Sequence, residues 1–171
     1  MHFDNVSIVD VSAVDAPHRV TSAELEARLL PTLERLGLGP GLLEGLSGIV
    51  ARRMWDRDTP PSHAATLAAR QVIERSGVDS AEIGAIINTS VCRDFIEPSV
   101  ACIVHGKLAL PSTCINFDVG NACLGFMSGM ELVGNMIERG QIDYGLVVDG
   151  ENSRFVVDST CLLYTSPSPR D

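Results

Sequence analysis

The stretch that most limits what this chain can fold into is the helical pattern that follows Cys123. Leu124, Phe126, Met127, Met130, Leu132, Val133, Met136 and Ile137 leave it apolar around most of its girth. A surface helix keeps a polar face, so a helix of this kind belongs inside a larger body, covered on several sides. Gly125, Ser128 and Gly129 are small enough to let neighbouring backbone approach. A methionine-lined groove for a cofactor is the sharper reading of this stretch, and adaptable core filling is the ordinary one. Glu138-Arg139-Gly140 closes the pattern as a normal helix stop.

Ahead of that helix lies an extended run, Cys114-Ile115-Asn116-Phe117-Asp118-Val119, and between the two sits Asn121-Ala122-Cys123. A cysteine on a strand-to-helix turn lies beside the unpaired N–H groups and partial positive charge of the helix N-terminus, which favour thiolate over thiol. The same N–H groups can stabilise the oxyanion formed when that thiolate attacks a thioester carbonyl. On the local pattern alone, Cys123 is either that nucleophile or one more small buried hydrophobe.

The rest of the chain alternates strand and helix patterns. Phe3 to Val14 predicts a first strand through Val6, Ile8, Val9 and Val11. Thr21-Ser22-Ala23-Glu24 opens a helix that continues through Leu25, Leu29, Leu33 and Leu36 at helical spacing. Gly37 to Gly48 is broken by glycines, and Ile49 to Trp55 predicts a short strand. Thr59-Pro60-Pro61-Ser62 introduces a second helix ending near Gly77, and Ile83 to Asn88 reads as a buried strand. Pro98-Ser99 starts a third helix; the Cys114 strand, the Cys123 helix and a last strand, Tyr144 to Val148, follow. A βαβαβαβαβ order implies an α/β fold, with layers around a largely parallel sheet, and the length suits one domain.

Composition narrows the function. The chain is 45% hydrophobic, enough for a core, and carries a formal charge of −9 with no cluster of lysine or arginine. Arg52-Arg53 is the only adjacent basic pair upstream of the C-terminal string, so nucleic acid is not the expected partner. No apolar run approaches the length of a membrane span, and Met1-His2-Phe3-Asp4-Asn5 does not read as a signal peptide. Cys92, Cys102, Cys114 and Cys123 lack C-x-x-C spacing, which favours a reduced cytoplasmic protein over a disulfide framework or metal site.

Residues 161–171, CLLYTSPSPRD, break with the periodicity before them. All eleven match one translation frame of a transposase adapter used in sequencing libraries. Against the alternative of a natural Ser/Pro-rich tail, this string is expected to be non-native and is set aside from fold reasoning. The protein's own residues are then expected to run to about Thr160 and to stop in mid-domain.

Asp118-Val119-Gly120-Asn121-Ala122-Cys123-Leu124-Gly125-Phe126 resembles the nucleophile segment of the thiolase-superfamily condensing enzymes. The nearest broad group is the 3-oxoacyl-acyl-carrier-protein synthase III type. Within it the chain is most similar to the long-chain acyl-CoA condensing enzymes of head-to-head olefin biosynthesis. The resemblance runs from about Asn5 to Thr160 and includes Asp15-Ala16-Pro17-His18, Ile87-Asn88-Thr89-Ser90-Val91, Arg93-Asp94-Phe95-Ile96-Glu97-Pro98-Ser99 and Val147-Val148-Asp149-Gly150-Glu151. It implies that residues 1–160 are the N-terminal half of a thiolase-like domain, with Cys123 as the nucleophile.

Glu97 separates the subfamilies. Condensation with a malonyl group makes its carbanion by decarboxylation, and synthase III enzymes usually carry an apolar residue before the Pro-Ser pair. A non-decarboxylative Claisen condensation must remove a weakly acidic proton alpha to a thioester, which calls for a placed base. The resemblance implies that Glu97 is that base and reaches the neighbouring subunit's site in a homodimer. Taken without the resemblance, Glu97 is a carboxylate complementing the helix that starts after Pro98.

Synthase III enzymes also place a tryptophan six residues before a Gly-Ile-Arg segment, for the adenine of coenzyme A. The matching stretch here is Gly48-Ile49-Val50-Ala51-Arg52, and Leu42 stands at the tryptophan position. Coenzyme A recognition therefore departs from that pattern. Arg52 and Arg53 are candidates for its phosphates or ordinary surface residues, and Trp55 is not a substitute by position. The family's histidine and asparagine fall beyond these residues; His2, His18, His63 and His105 lie outside the expected region.

The resemblance implies fatty acyl-CoA thioesters as substrates, acyl carrier protein as a candidate partner, and no resident cofactor or metal. Two alternatives stay open. One is a decarboxylating synthase III of fatty-acid biosynthesis; the other is a non-catalytic half-domain acting as a scaffold, which requires the tail to be genuine. An isolated fragment of these residues is expected to be inactive and prone to aggregate.

Overall fold

A computed structural model of the chain describes residues 2–153; the string 161–171, singled out above, lies outside them. The chain divides into two compact units, each taken by itself.

The larger unit comprises Met1–Val14 and Thr59–Asn152. Its elements are α3 (Pro61–Ser76), β3 (Ile83–Asn88), α4 (Val100–Leu108), β4 (Ile115–Asp118), α5 (Gly125–Glu138) and β5 (Tyr144–Val148). The strands form one parallel sheet in the order β4-β3-β5, with Asn88 opposite both Asp118 and Val148. Parallel neighbours need crossovers, and α4 and α5 supply them.

Ile86 and Val148 pack with Ala65, Ala69, Val100 and Val104 of α3 and α4 in one cluster. Ile87, Thr89 and Val147 lie instead against Gly129 of α5. The sheet is thus covered on both faces, and this is why Ile83-Gly84-Ala85-Ile86-Ile87 reads as a continuous apolar run rather than an alternation.

The helices begin and end where the sequence signals stand. Pro61 occupies the first position of α3, and Gly77 closes it in the left-handed conformation (φ 69°). Ser99 caps α4, its side chain accepting a hydrogen bond from Cys102 N at 3.1 Å. On α5, a Cβ built at Gly125 would stand 2.8 Å from the Thr89 carbonyl oxygen. One built at Gly129 would stand 2.8 Å from Thr89 Cγ2 and 2.9 Å from Val147 Cγ1. The glycines let this helix sit directly on the sheet. Its far side, with Leu124, Phe126, Met127 and Leu132, is exposed among the described residues, so the covering expected on several sides is present here on one.

The strand predicted over Phe3 to Val14 does not form among the described residues. A strand needs a neighbour for its backbone groups, and this segment is tied down by side chains instead. Asp4 N and Asn5 N donate to the Glu138 carboxylate (3.3 and 3.0 Å), and Arg75 pairs with Asp10 at 3.0 Å. Ile8, Val9 and Val11 remain exposed.

The smaller unit is built on Asp15–Asp58. It holds β1 (His18–Thr21), α1 (Ser22–Arg35), α2 (Leu42–Ser47) and β2 (Ala51–Met54). β1 and β2 pair antiparallel, His18 opposite Met54, so the sheet structure is not parallel throughout. β1 is short and polar, which hid it from the pattern. α1 starts with a capping box: the Thr21 hydroxyl accepts from Glu24 N at 3.1 Å, and the Glu24 carboxylate accepts from Thr21 N at 2.6 Å. The Thr21 bonds hold the Glu24 carboxyl below its usual range. Buried Glu26 accepts from Gly41 N and Leu43 N (2.7 and 2.5 Å), which secures the start of α2.

Two glycines give opposite expectations. Gly129→Ala must push aside two β-branched side chains and should cost about 1–3 kcal/mol. Gly45, inside α2, meets nothing within 4 Å, and alanine there should gain about 0.5–1 kcal/mol. Urea midpoints of the two variants should move in opposite directions from the parent; a shared direction refutes this account of α5 packing.

Candidate active site

Because β3, β4 and β5 run parallel, the loops after all three leave the same edge of the sheet. The β3–α4 loop carries Glu97, the β4–α5 turn carries Cys123, and the segment after β5 carries Glu151. The resemblance implies that Glu97 serves the neighbouring subunit's site; within one chain the fold brings Cys123 and Glu97 to one edge, on the loops of adjacent strands. Both are exposed, and no hydrogen bond joins them among the described residues.

The Cys123 turn is built tightly. Leu124 N donates to Asn121 O at 3.0 Å, and Gly125 N donates to Ala122 O, making a single 3-10 turn over Ala122–Leu124. Ala122 stands at φ 43°, a conformation that alanine adopts at a cost. Asn121 Nδ2 donates to Ser128 Oγ at 2.9 Å, and Ser128 Oγ donates to Leu124 O at 3.0 Å, so a side-chain bridge spans the turn. The turn leaves the Cys123 N–H without a backbone acceptor among the described residues. An N–H beside the sulfur at the start of α5 is the arrangement needed to receive a carbonyl oxygen becoming an oxyanion.

Glu97 is held from both sides of its own loop. Asp94, three residues before it, accepts from Ser62 N at 2.9 Å and from the Ser62 hydroxyl at the start of α3. Lys107 Nζ donates to that hydroxyl at 2.7 Å. Asp118, at the end of β4, accepts from Val100 N and Ala101 N (3.0 and 2.8 Å), the first free N–H groups of α4. Glu151 accepts from Val91 N and Cys92 N at 2.7 and 3.2 Å, fixing the beginning of the loop. The Glu97–Pro98 peptide is cis, and Glu97, Phe95 and Ile96 are exposed.

Asp94, Asp118, Asn121, Ser128 and Glu151 were not singled out from the sequence as site residues. Asp118 carried the clearest signal, a carboxylate ending the strand that leads to the nucleophile turn. The arginines and histidines weighed in the sequence have partners within the protein. Arg52, half-buried, donates to Ser22 Oγ at 3.3 Å, and Arg53 donates to Pro17 O at 3.3 Å. His18 bonds Asp56 at 2.8 Å, His2 stands 3.2 Å from Asp4, and His105 bonds Pro111 O at 3.1 Å. No helix among the described residues is long and apolar enough to cross a membrane.

The free cysteines differ in environment. Burial, reinforced by the hydrogen bond and charge of Glu151, pushes the Cys92 thiol up to about 12. Burial also raises Cys114. Cys102 and Cys123 are exposed. Brief iodoacetamide treatment of the native protein at pH 8 should label Cys123 and Cys102 and spare Cys92 and Cys114, as read by peptide mass mapping. Cys92 favours the folded state as a neutral thiol, fully so below its ordinary value of 9.0, with the contribution lost as pH rises from there to about 12. Rapid labelling of Cys92 at pH 8 contradicts this reading.

Residues 117–165 match the family described as 3-oxoacyl-[acyl-carrier-protein (ACP)] synthase III. The acyl-CoA:acyl-CoA alkyltransferase of Xanthomonas campestris is 49% identical over 167 residues, 98% of this chain and 49% of that protein. The protein of the same name from Shewanella oneidensis is 40% identical over 160 residues, 94% of this chain and 46% of that one. Cerulenin-bound Xanthomonas campestris OleA superposes with a TM-score of 0.87 at 49% identity, covering 91% of this chain and 45% of that one. The chain thus spans about half the length of the relatives it matches. By sequence and by fold, the chain belongs to the thiolase-like condensing enzymes of the 3-oxoacyl-acyl-carrier-protein synthase III type and matches their N-terminal half.

Proposed function

We propose that the protein over its full length joins two fatty acyl-CoA thioesters into a beta-keto product by a non-decarboxylative Claisen condensation. The Cys123 thiolate attacks the first thioester carbonyl, and the backbone N–H of Cys123 helps to hold the resulting oxyanion. The carbon–sulfur bond to coenzyme A breaks, coenzyme A leaves as its thiolate, and an acyl-enzyme remains. Glu97 of the partner subunit takes a proton from the alpha carbon of the second acyl-CoA. The carbanion attacks the acyl-enzyme carbonyl, and the Cys123 thiolate is released as the new carbon–carbon bond forms. The carboxylate ends the step protonated.

The observation that carries this reading is an exposed cysteine at a strand-to-helix turn whose own N–H has no backbone acceptor among the described residues. The name shared by relatives at 49% and 40% identity supports it. The reaction needs no resident cofactor, since both substrates arrive activated as thioesters. A homodimer that pools the two site residues, a cytoplasmic location in keeping with the free cysteines, and acyl carrier protein as a possible carrier of one chain complete the proposal.

The full-length Glu97→Gln protein should lose condensation by about 10²–10⁴-fold while acyl-Cys123 still accumulates, seen as a mass increase on the peptide. Condensation at the parent rate removes Glu97 from the base role. The match to the synthase III family favours a second reading, decarboxylative condensation with a malonyl group. Turnover of malonyl-acyl-carrier-protein that survives Glu97→Gln would decide for it.

A further inference from the structure

The loop that carries Glu97 is long enough to wander, yet three carboxylates from outside it or within it tie its backbone and neighbours down. Glu151 takes the N–H groups of Val91 and Cys92. Asp94 reaches α3, and Asp118 takes the first N–H groups of α4. Between Asp94 and Val100 only five residues are left, with Glu97 in the middle and Phe95 and Ile96 exposed at 61% and 88%. An exposed carboxylate without a hydrogen bond of its own among the described residues gains its placement from these flanking attachments. Each is a charged acceptor on N–H groups, the stronger class of hydrogen bond, and Ser62 beneath Asp94 is fully buried and also bonded by Lys107.

We infer that Asp94 and Asp118 are positioning residues for Glu97, fixing the loop at points three residues before it and three residues after it. The inference rests on the reading of Glu97 as the base. Asp118 acts through α4, whose start it holds to the end of β4; Asp94 acts through α3. Neither touches the acyl group. Their effect therefore falls on the step that uses Glu97 and leaves the attack by Cys123 in place. Replacing either carboxylate with an amide keeps the size and removes acceptor capacity: Asp118→Asn has one oxygen for two N–H groups, and Asp94→Asn gives up the bond from the Ser62 hydroxyl or the Ser62 N–H.

The test uses the full-length protein with Asp94→Asn, Asp118→Asn and Glu97→Gln, alone and combined, and with Thr21→Ala as a helix-cap variant in the smaller unit. Quench-flow mass spectrometry with a saturated fatty acyl-CoA gives the rate of acyl-Cys123 formation, and product analysis gives kcat and KM for condensation. Displacing a reacting group by about 1 Å costs on the order of 10²-fold, so each aspartate variant should lower kcat by roughly 10- to 100-fold. Acylation and KM should stay within about threefold of the parent. In the Glu97→Gln background neither aspartate change should lower kcat further, because the group being placed is already gone.

Parent-like kcat in both variants overturns the inference. So does an equal loss in acylation and condensation, or an additive loss on top of Glu97→Gln. A kcat loss of the same size in Thr21→Ala would trace the effect to general loosening and overturn it as well. If Asp118→Asn does not fold, Asp94→Asn alone decides. If Glu97→Gln itself condenses normally, the base reading fails first, and that result is distinguishable from a failure of the aspartates alone.

Discussion

β3 is the strand on which everything else in the larger unit hangs. It is hydrogen-bonded along both edges, to β4 and to β5, and buried from Ala85 to Asn88. A strand in that position favours apolar side chains in its middle, here Ala85, Ile86 and Ile87, and its parallel neighbours connect through crossover helices. The consequence for chemistry is geometric. With three strands aligned the same way, whatever the sequence places after β3, β4 and β5 arrives at a single edge. Strand direction brings the Cys123 and Glu97 loops of one chain to that edge, with no hydrogen bond between the two residues among the described residues.

The second recurring device is the carboxylate used as a backbone acceptor. Glu24 and Glu26 hold α1 and α2, Asp94 and Asp118 hold α3 and α4, and Glu151 holds the loop after β3. Each satisfies N–H groups that a helix start or turn leaves unpaired, where an anion is favoured by the local partial charge. Part of the chain's acidity is therefore structural, fixing loops from within rather than facing a partner. α5 is treated differently. No side chain caps its start, and the reactive turn leaves the Cys123 N–H without a backbone acceptor among the described residues.

Much of this was legible in the sequence because the signals were local. Ile83–Asn88 and Tyr144–Val148 announced themselves as short apolar runs, and Thr21 with Glu24, Pro61 with Gly77, and Pro98 with Ser99 marked helix ends by backbone chemistry alone. The expectations that the structure overturns are those that depend on a partner segment. The Val/Ile pattern of Phe3–Val14 is strand-like, but pairing is not a property of one segment. β1 has too little apolar character in four residues to be seen, and it exists through its register with β2. The site followed the same division. The turn marks Cys123 as a candidate nucleophile beside the reading of a small buried hydrophobe, and both Cys123 and Glu97 need the family resemblance to be assigned roles. The attachments of Asp94 and Asp118 could not be read from local pattern, since the N–H groups that donate to them lie 32 and 18 residues away in the chain.

The common direction of the strands also gives the larger unit a quiet edge. At the opposite end of the sheet, the connections entering β3, β4 and β5 run through Asp79–Glu82, Pro111–Cys114 and Gly140–Asp143, and their tips at Ala81, Ser112, Thr113 and Gln141 are exposed. These turns carry none of the attachments that shape the Cys123 and Glu97 loops. Peptide tags, fluorophores or a surface tether placed there would report on or immobilise the protein from the side away from its reactive thiol, which leaves the chemical edge free for an engineer to redesign.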